Sequence, residues 1–177
     1  MYKPASLRKH LGSAVPELKK NPDKLSIMVR EGRVQAAGQA SLSFEYAYTL
    51  QLIALDYAGS ADAIIVPMLV WLRTHQREYF DNEALRNQAF RFSAEYQNGK
   101  TIDLVIELDL TEAVRVEVTD PENHAAPGRF TMTHLMEPAP VESLPYPVSW
   151  ELFDGTTQVA SWTTDPLDAD HAPRLAD

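Results

Sequence analysis

The sequence predicts an α+β fold: a mostly antiparallel sheet packed by two main helices, then a Pro-rich linker and a C-terminal β-hairpin arm. Three observations support that expectation. Two stretches repeat apolar residues at helical spacing, and several others alternate at the period of two that a strand requires. Asp154-Gly155 also sits between two runs of strand formers, 149–153 and 156–162, where Asp-Gly suits a tight hairpin turn. The body is expected over residues 1–136, the linker over 137–148 and the arm over 149–162. Residues 163–177 form an acidic tail with too little apolar content to fold, so disorder is expected there.

The elements follow in order. Lys3-Pro4-Ala5-Ser6 opens a helix with Ser6 as its expected cap. Leu7, Leu11, Ala14, Val15 and Leu18 then fall on one stripe. Pro16 should bend or restart this helix, and Asn21-Pro22-Asp23 should end it. Leu25, Ile27 and Val29 alternate toward a short strand. Ser43–Asp56 reads as a long central strand, apolar on both faces, with Tyr46, Tyr48, Leu50 and Leu52 on one and Ile53 and Leu55 on the other. Asp62 is the expected cap of a second helix through Gln76, burying Ile64, Pro67, Met68, Trp71 and Leu72, with a kink near Pro67. Three strands follow over 90–97, 101–110 and 113–119, the first two joined across Asn98-Gly99. Residues 120–128 read as loop, and four prolines (Pro138, Pro140, Pro145 and Pro147) mark the linker. In the arm, a two-residue Asp154-Gly155 turn places Trp150 opposite Val159 and Leu152 opposite Thr157. A lone hairpin is marginal in water, so this one needs a surface to dock on.

Composition narrows the function. At 177 residues and 45% hydrophobic, the chain has material for one ordinary core and an appendage. A formal charge of −9 argues against a general nucleic-acid or membrane-surface binder. The charge is uneven: Lys3, Arg8, Lys9, Lys19, Lys20, Lys24, Arg30 and Arg33 cluster in the first 35 residues, whereas beyond residue 136 Arg174 stands alone against the acidic side chains. Ends of opposite sign suit head-to-tail contact between copies, and equally suit a solvated helix and an acidic tail. With no cysteine, there is no disulfide framework, thiol nucleophile or Cys-based metal site. No apolar run reaches membrane length, and Met1-Tyr2-Lys3-Pro4 lacks a signal-peptide core, so the chain reads as soluble.

Several stretches, in this order, resemble the tail completion protein R family of contractile-tailed temperate phages. They are KPASLRKHL, LKKNPDKLSI, ASLSFEYAYTL, Asp-Tyr-Ala-Gly leading into IIVPMLVWLR, FRFSAEYQNGKTIDLVIELDLTE, the Glu-Pro-x-Pro linker and SWELFDGTTQVASW. The resemblance spans nearly the whole chain, and its weight lies in order and spacing, since no motif is catalytic. The loop around 120–129 and the acidic tail depart from the pattern. The resemblance implies a structural role without enzymatic activity or cofactors: finishing the head-proximal end of the tail so that a filled head can join it. The implied partners are copies of itself, tail tube and sheath proteins, and neck or connector proteins. DNA would pass only transiently and non-specifically, and no membrane is involved. By analogy with tail terminators the copies would form a ring, a hexamer in that comparison. The implied location is the virion tail, assembled in the host cytoplasm.

The residues themselves offer little chemistry. His10, His75, His124, His134 and His171 lie far apart and show no metal-ligand spacing. There is no Gly-x-Ser-x-Gly elbow and no Gly-rich phosphate loop. The sharpest electrostatic feature is Asp103, Glu107 and Asp109 on one face of a strand whose other face holds Ile102, Leu104, Ile106, Leu108 and Leu110. A solvated outer sheet face is the plainest reading. A small cytoplasmic metal-dependent hydrolase built on those carboxylates is the rival, and a ring-lining face that repels passing DNA is what the resemblance adds. Trp71 belongs to a helical core stripe. Trp150, Leu152, Val159 and Trp162 are the candidate partner interface, because a hairpin has too little core to hide them.

Overall fold

The structure is a computed structural model that describes residues 1–38, 41–97, 99–119, 128–137 and 148–164. Proline chemistry sets the first boundaries. Helix α1 (Lys3–Ala14) carries Pro4 in its first turn, where the missing N–H costs nothing, and buries Leu7, Leu11 and Ala14. Val15 precedes Pro16 and is forced to an extended conformation (φ −101°, ψ 112°), so the chain restarts as α2 (Pro16–Lys20). A single 3₁₀ turn, Pro22–Lys24, follows. Ser6 is not the cap expected from sequence. It lies inside α1, and its Oγ accepts the indole N–H of Trp71 at 3.0 Å. Helix α3 (Asp62–His75) runs through Pro67 and buries Ile64, Pro67, Met68, Trp71 and Leu72, the stripe expected from sequence. Asp62 is its first residue rather than its cap; Ser60 Oγ accepts the Asp62 N–H at 3.2 Å. Two short helices, α4 (Glu78–Asp81) and α5 (Glu83–Gln88), follow, the second capped by Asn82, whose side chain accepts the Ala84 N–H at 3.0 Å.

The main sheet is antiparallel throughout and has five strands: β1 (Leu25–Ala36), β2 (Phe44–Tyr57), β3 (Phe90–Gln97), β4 (Thr101–Thr119) and β5 (Arg129–His134). Its order is β1-β2-β4-β3, with β5 pairing the far half of β4. Strand β2 is central, but it is not buried on both faces as expected: Tyr48, Leu50, Leu52 and Ala54 are buried, whereas Leu55 on the other face is 49% exposed beside Thr49 and Gln51, which bond the acidic residues of β4. The expected break after Leu110 does not occur: β4 is one strand of 19 residues. Its even-numbered residues from Ile102 to Val114 all point to the buried face, including Glu112. Helices α1 and α3 pack with that face to form the core, which takes in Leu7, Leu11, Leu18, Ile64, Met68, Leu72, Leu104, Ile106 and Leu108.

The arm forms its own two-stranded sheet, β6 (Val148–Asp154) with β7 (Thr157–Thr164). Its expected register is wrong. Asp154 pairs with Thr157, so the turn is Gly155-Thr156, and a bulge at Leu152/Phe153 leaves Val159 out of the ladder. Trp150 therefore faces Trp162 and Leu152 faces Ala160. Strand β7 contacts α1 and α3 of the same chain, burying Ala160 and Trp162 in the core cluster. Linker residues 138–147, the loop at 120–127, and the tail beyond Thr164 lie outside the described residues.

Candidate assembly surfaces and the core that holds them

A buried polar knot fixes the helices to the sheet. Glu112 is 2% exposed in the middle of β4. Its Oε2 accepts the Tyr2 N–H at 2.8 Å, and its Oε1 accepts the Lys3 N–H at 3.3 Å and the Tyr48 hydroxyl. A carboxylate from a distant strand thus caps the N-terminus of α1, where the helix dipole favours negative charge. His134 Nδ1 lies 3.5 Å from the same carboxylate. Lys3 is equally buried; its ammonium donates to Gln76 Oε1 at 2.8 Å and pairs with Glu137 at 3.4 Å. Burial pushes the Lys3 pKa down, and Glu137 and Glu112 oppose that shift. Gln76, just past α3, closes the knot by accepting the Thr111 N–H at 3.1 Å and donating to Thr111 Oγ1 at 3.1 Å. Burial, reinforced by the bond to Glu112, raises the Tyr48 phenol above its ordinary range. Sequence reasoning missed Glu112 by ending one strand at Leu110 and starting the next at Ala113. The period of two running from Ile102 to Val114 was the signal that points it inward.

The acidic strand face forms as expected, with Asp103, Glu107 and Asp109 all on the side of β4 away from the helices. Each is tied to its own sheet. Asp109 accepts from Arg91 through both oxygens at 2.8 and 3.1 Å and from Thr49 Oγ1 at 2.7 Å. Arg91 is the main cause holding the Asp109 carboxyl below the usual range. Glu107 accepts from Gln51 at 3.2 Å and lies 3.5 Å from Arg91. Asp103 accepts the backbone N–H of Asp56 at 2.8 Å, where Asp56 holds a left-handed φ of 48°. Among the described residues no group of His, Cys, Asp and Glu could hold a metal ion.

The helix-side face of the sheet runs on beyond the knot. Cross-strand rows place Val34 beside Tyr46, Ala36 beside Phe44 and Val114, then Val116 beside Met132 and Val118 beside Phe130. Val34, Val118, Phe130 and Met132 are 60–69% exposed there, an apolar strip of the kind that marks a contact surface. A cleft of about 400 Å³ has Gly32, Tyr48, Tyr79, Leu85 and Leu110 among its lining. The arm residues divide. Trp162 is buried against its own helices, with no hydrogen-bond partner for its indole N–H among the described residues. Leu152 packs partly against the same cluster. Trp150 remains 40% exposed, and Val159 sits half-buried at the bulge. Within one chain, Trp162 is therefore an anchor rather than an open contact residue. The sequence alone could not show this, because it does not reveal that α1 and α3 leave an apolar face for the hairpin.

Comparison with known proteins follows the same outline. The family model for the P2 phage tail completion protein R (GpR) matches residues 1–138. The Tail completion protein R of Escherichia phage P2 is 38% identical over 162 residues, covering 92% of this chain and 99% of that relative. An alignment of that length runs past the body and into the arm. No solved structure matches the chain. The chain belongs to the P2 phage tail completion protein R family.

Proposed function

We infer that this protein is a structural, non-enzymatic component of a phage tail that completes its head-proximal end and allows a filled head to join. The observation that carries this reading is the full-length relationship to a protein named for tail completion. The uncovered apolar strip supports it, since a surface of that kind needs a protein partner more than a substrate. Tail tube, sheath and neck proteins and further copies of the chain are the partners the role calls for, met in the host cytoplasm during assembly. The rival hydrolase gains no support, because Asp103, Glu107 and Asp109 each bond to groups of their own sheet. No helix among the described residues is long and apolar enough to cross a membrane.

Within that role, the acidic face lines the passage for DNA, where negative charge keeps phosphates from adhering. Replacing all three carboxylates by Lys would also disturb the fold, given the bonds of Asp103 and Asp109. Glu107→Lys is the cleaner probe. DNA ejection from particles carrying it should slow at low salt and recover as salt rises, while Glu107→Gln stays near the parent rate. Ejection by the Lys variant at the parent rate in low salt would rule out the channel assignment.

A further inference from the structure

The two edges of the main sheet are open and complementary. Among the described residues nothing pairs with the outer side of β1, and on the far side β3 and β5 have only β4 as partner. An open edge strand of 12 residues is long, and such edges are templates for another chain unless they are blunted. No proline interrupts β1, β3 or β5. A bulge at Val29/Glu31 breaks the upper part of β1, but the lower part, Leu25–Val29, pairs regularly. Successive strands in the order β1-β2-β4-β3 are all antiparallel, so the two outer strands run in opposite directions. Rotating a second copy about an axis along the strands therefore sets its β3 antiparallel to β1 of the first, the favoured pairing.

Side chains at the two edges match as well. Across the strand registers, Val29 lies level with Phe90, and Ile27 with Phe92, on the helix-side face. Phe92 is 64% exposed and Tyr96 79% exposed on that face of β3, with no cover from their own helices. Addition of β1 from a neighbour would set Ile27 and Val29 beside Phe92, an aromatic with β-branched partners.

The geometry points to head-to-tail strand addition between copies of this chain, β1 of one against β3 of the next, forming a continuous sheet. This rests on the tail-completion reading only for where it occurs. Contact between unlike edges propagates, and closes into a ring when the rotation permits. Helices α1 and α3 and the arm stack on one face, which makes that side the thicker one. A closed ring would place the thick side outward and the face bearing Asp103, Glu107 and Asp109 toward the axis.

The chain has no cysteine, so introduced thiols report one contact each. Ser26 and Ser93 lie level on the opposite, solvent-side face of β1 and β3. The double variant Ser26→Cys/Ser93→Cys, treated with a short bismaleimide as purified protein and on intact tails, should give a ladder of dimers, trimers and larger species. Either single variant should stay monomeric. Adding Phe92→Lys, which leaves the core untouched, should abolish the ladder without lowering the melting temperature. Dimers from the single variants would show like edges meeting, and absence of a ladder in both preparations would overturn the proposal. Neither outcome bears on tail completion itself, which is read separately from particle formation.

Discussion

Glu112→Ala should be among the most destabilising single changes in this protein, lowering stability by roughly 3–5 kcal/mol. The loss would leave the backbone N–H groups of Tyr2 and Lys3 and the Tyr48 hydroxyl without their acceptor in a buried site. It would also remove one of the negative charges that offset the burial of Lys3. A domain of this size shifts its Tm by about 2–4 °C per kcal/mol, so the melt should move by about 6–20 °C. Glu112→Gln should fall between, because an amide keeps one acceptor and turns the other position into a donor facing donors. Lys3→Met should cost less, about 1–2 kcal/mol, because the Glu137 side chain it leaves is 23% exposed and can return to water, and Gln76 Oε1 keeps the Thr111 N–H. Urea titration of the three variants checks the order. Equal effects for Glu112→Ala and Lys3→Met would mean that the knot is a simple ion pair rather than a helix cap shared by three donors.

Removal of the arm should be the second large effect. Trp162 and Ala160 are buried in the core cluster, with Leu152 packed partly against it. Trp162→Ala is expected to cost roughly 3–5 kcal/mol, whereas Trp150→Ala should cost about 1 kcal/mol or less. Cutting the chain before Ser149 should destabilise the body by several kcal/mol, since buried Trp and Leu side chains contribute roughly 1.5–3 kcal/mol each. If instead the truncated body melts like the parent at low concentration while particle yield falls, the arm docks on a neighbour in the assembly rather than on its own helices. Linker residues 138–147, extended, would span on the order of 30 Å, which permits both arrangements.

The fold was legible where one face of an element meets the core and the other meets water. The stripe of α3, the alternation of β2 and the split of β4 into an apolar and an acidic face all follow from period and burial. Legibility failed where that contrast fades. β1 is an edge strand exposed on both sides from Arg30 onward, so its charges and glycine show no alternation, and only a short strand around Leu25, Ile27 and Val29 is expected although the strand runs to Ala36. β5, with Phe130 and Met132 on the uncovered strip, has no core to enforce a pattern. Helices α4 and α5 are too short for a helical stripe. At Glu112 a charged residue on the buried face imitates the end of a strand, because burial of a carboxylate makes sense only once Tyr2, Lys3 and Tyr48 converge on it. In the arm, Asp154-Gly155 correctly announced a hairpin. The bulge at Leu152/Phe153 is a property of paired strands and leaves no mark in either strand alone. The candidate surfaces were therefore half visible: the acidic face in full, the exposed strip and the anchoring of Trp162 only after assembly of the fold.

Tail completion is read from electron microscopy of particles made by the parent phage after deletion of this gene. Deletion should leave DNA-filled heads beside free or misshapen tails, with joining restored when the gene is supplied in trans. Normal joined, infectious particles from the deletion strain would contradict the tail-completion role.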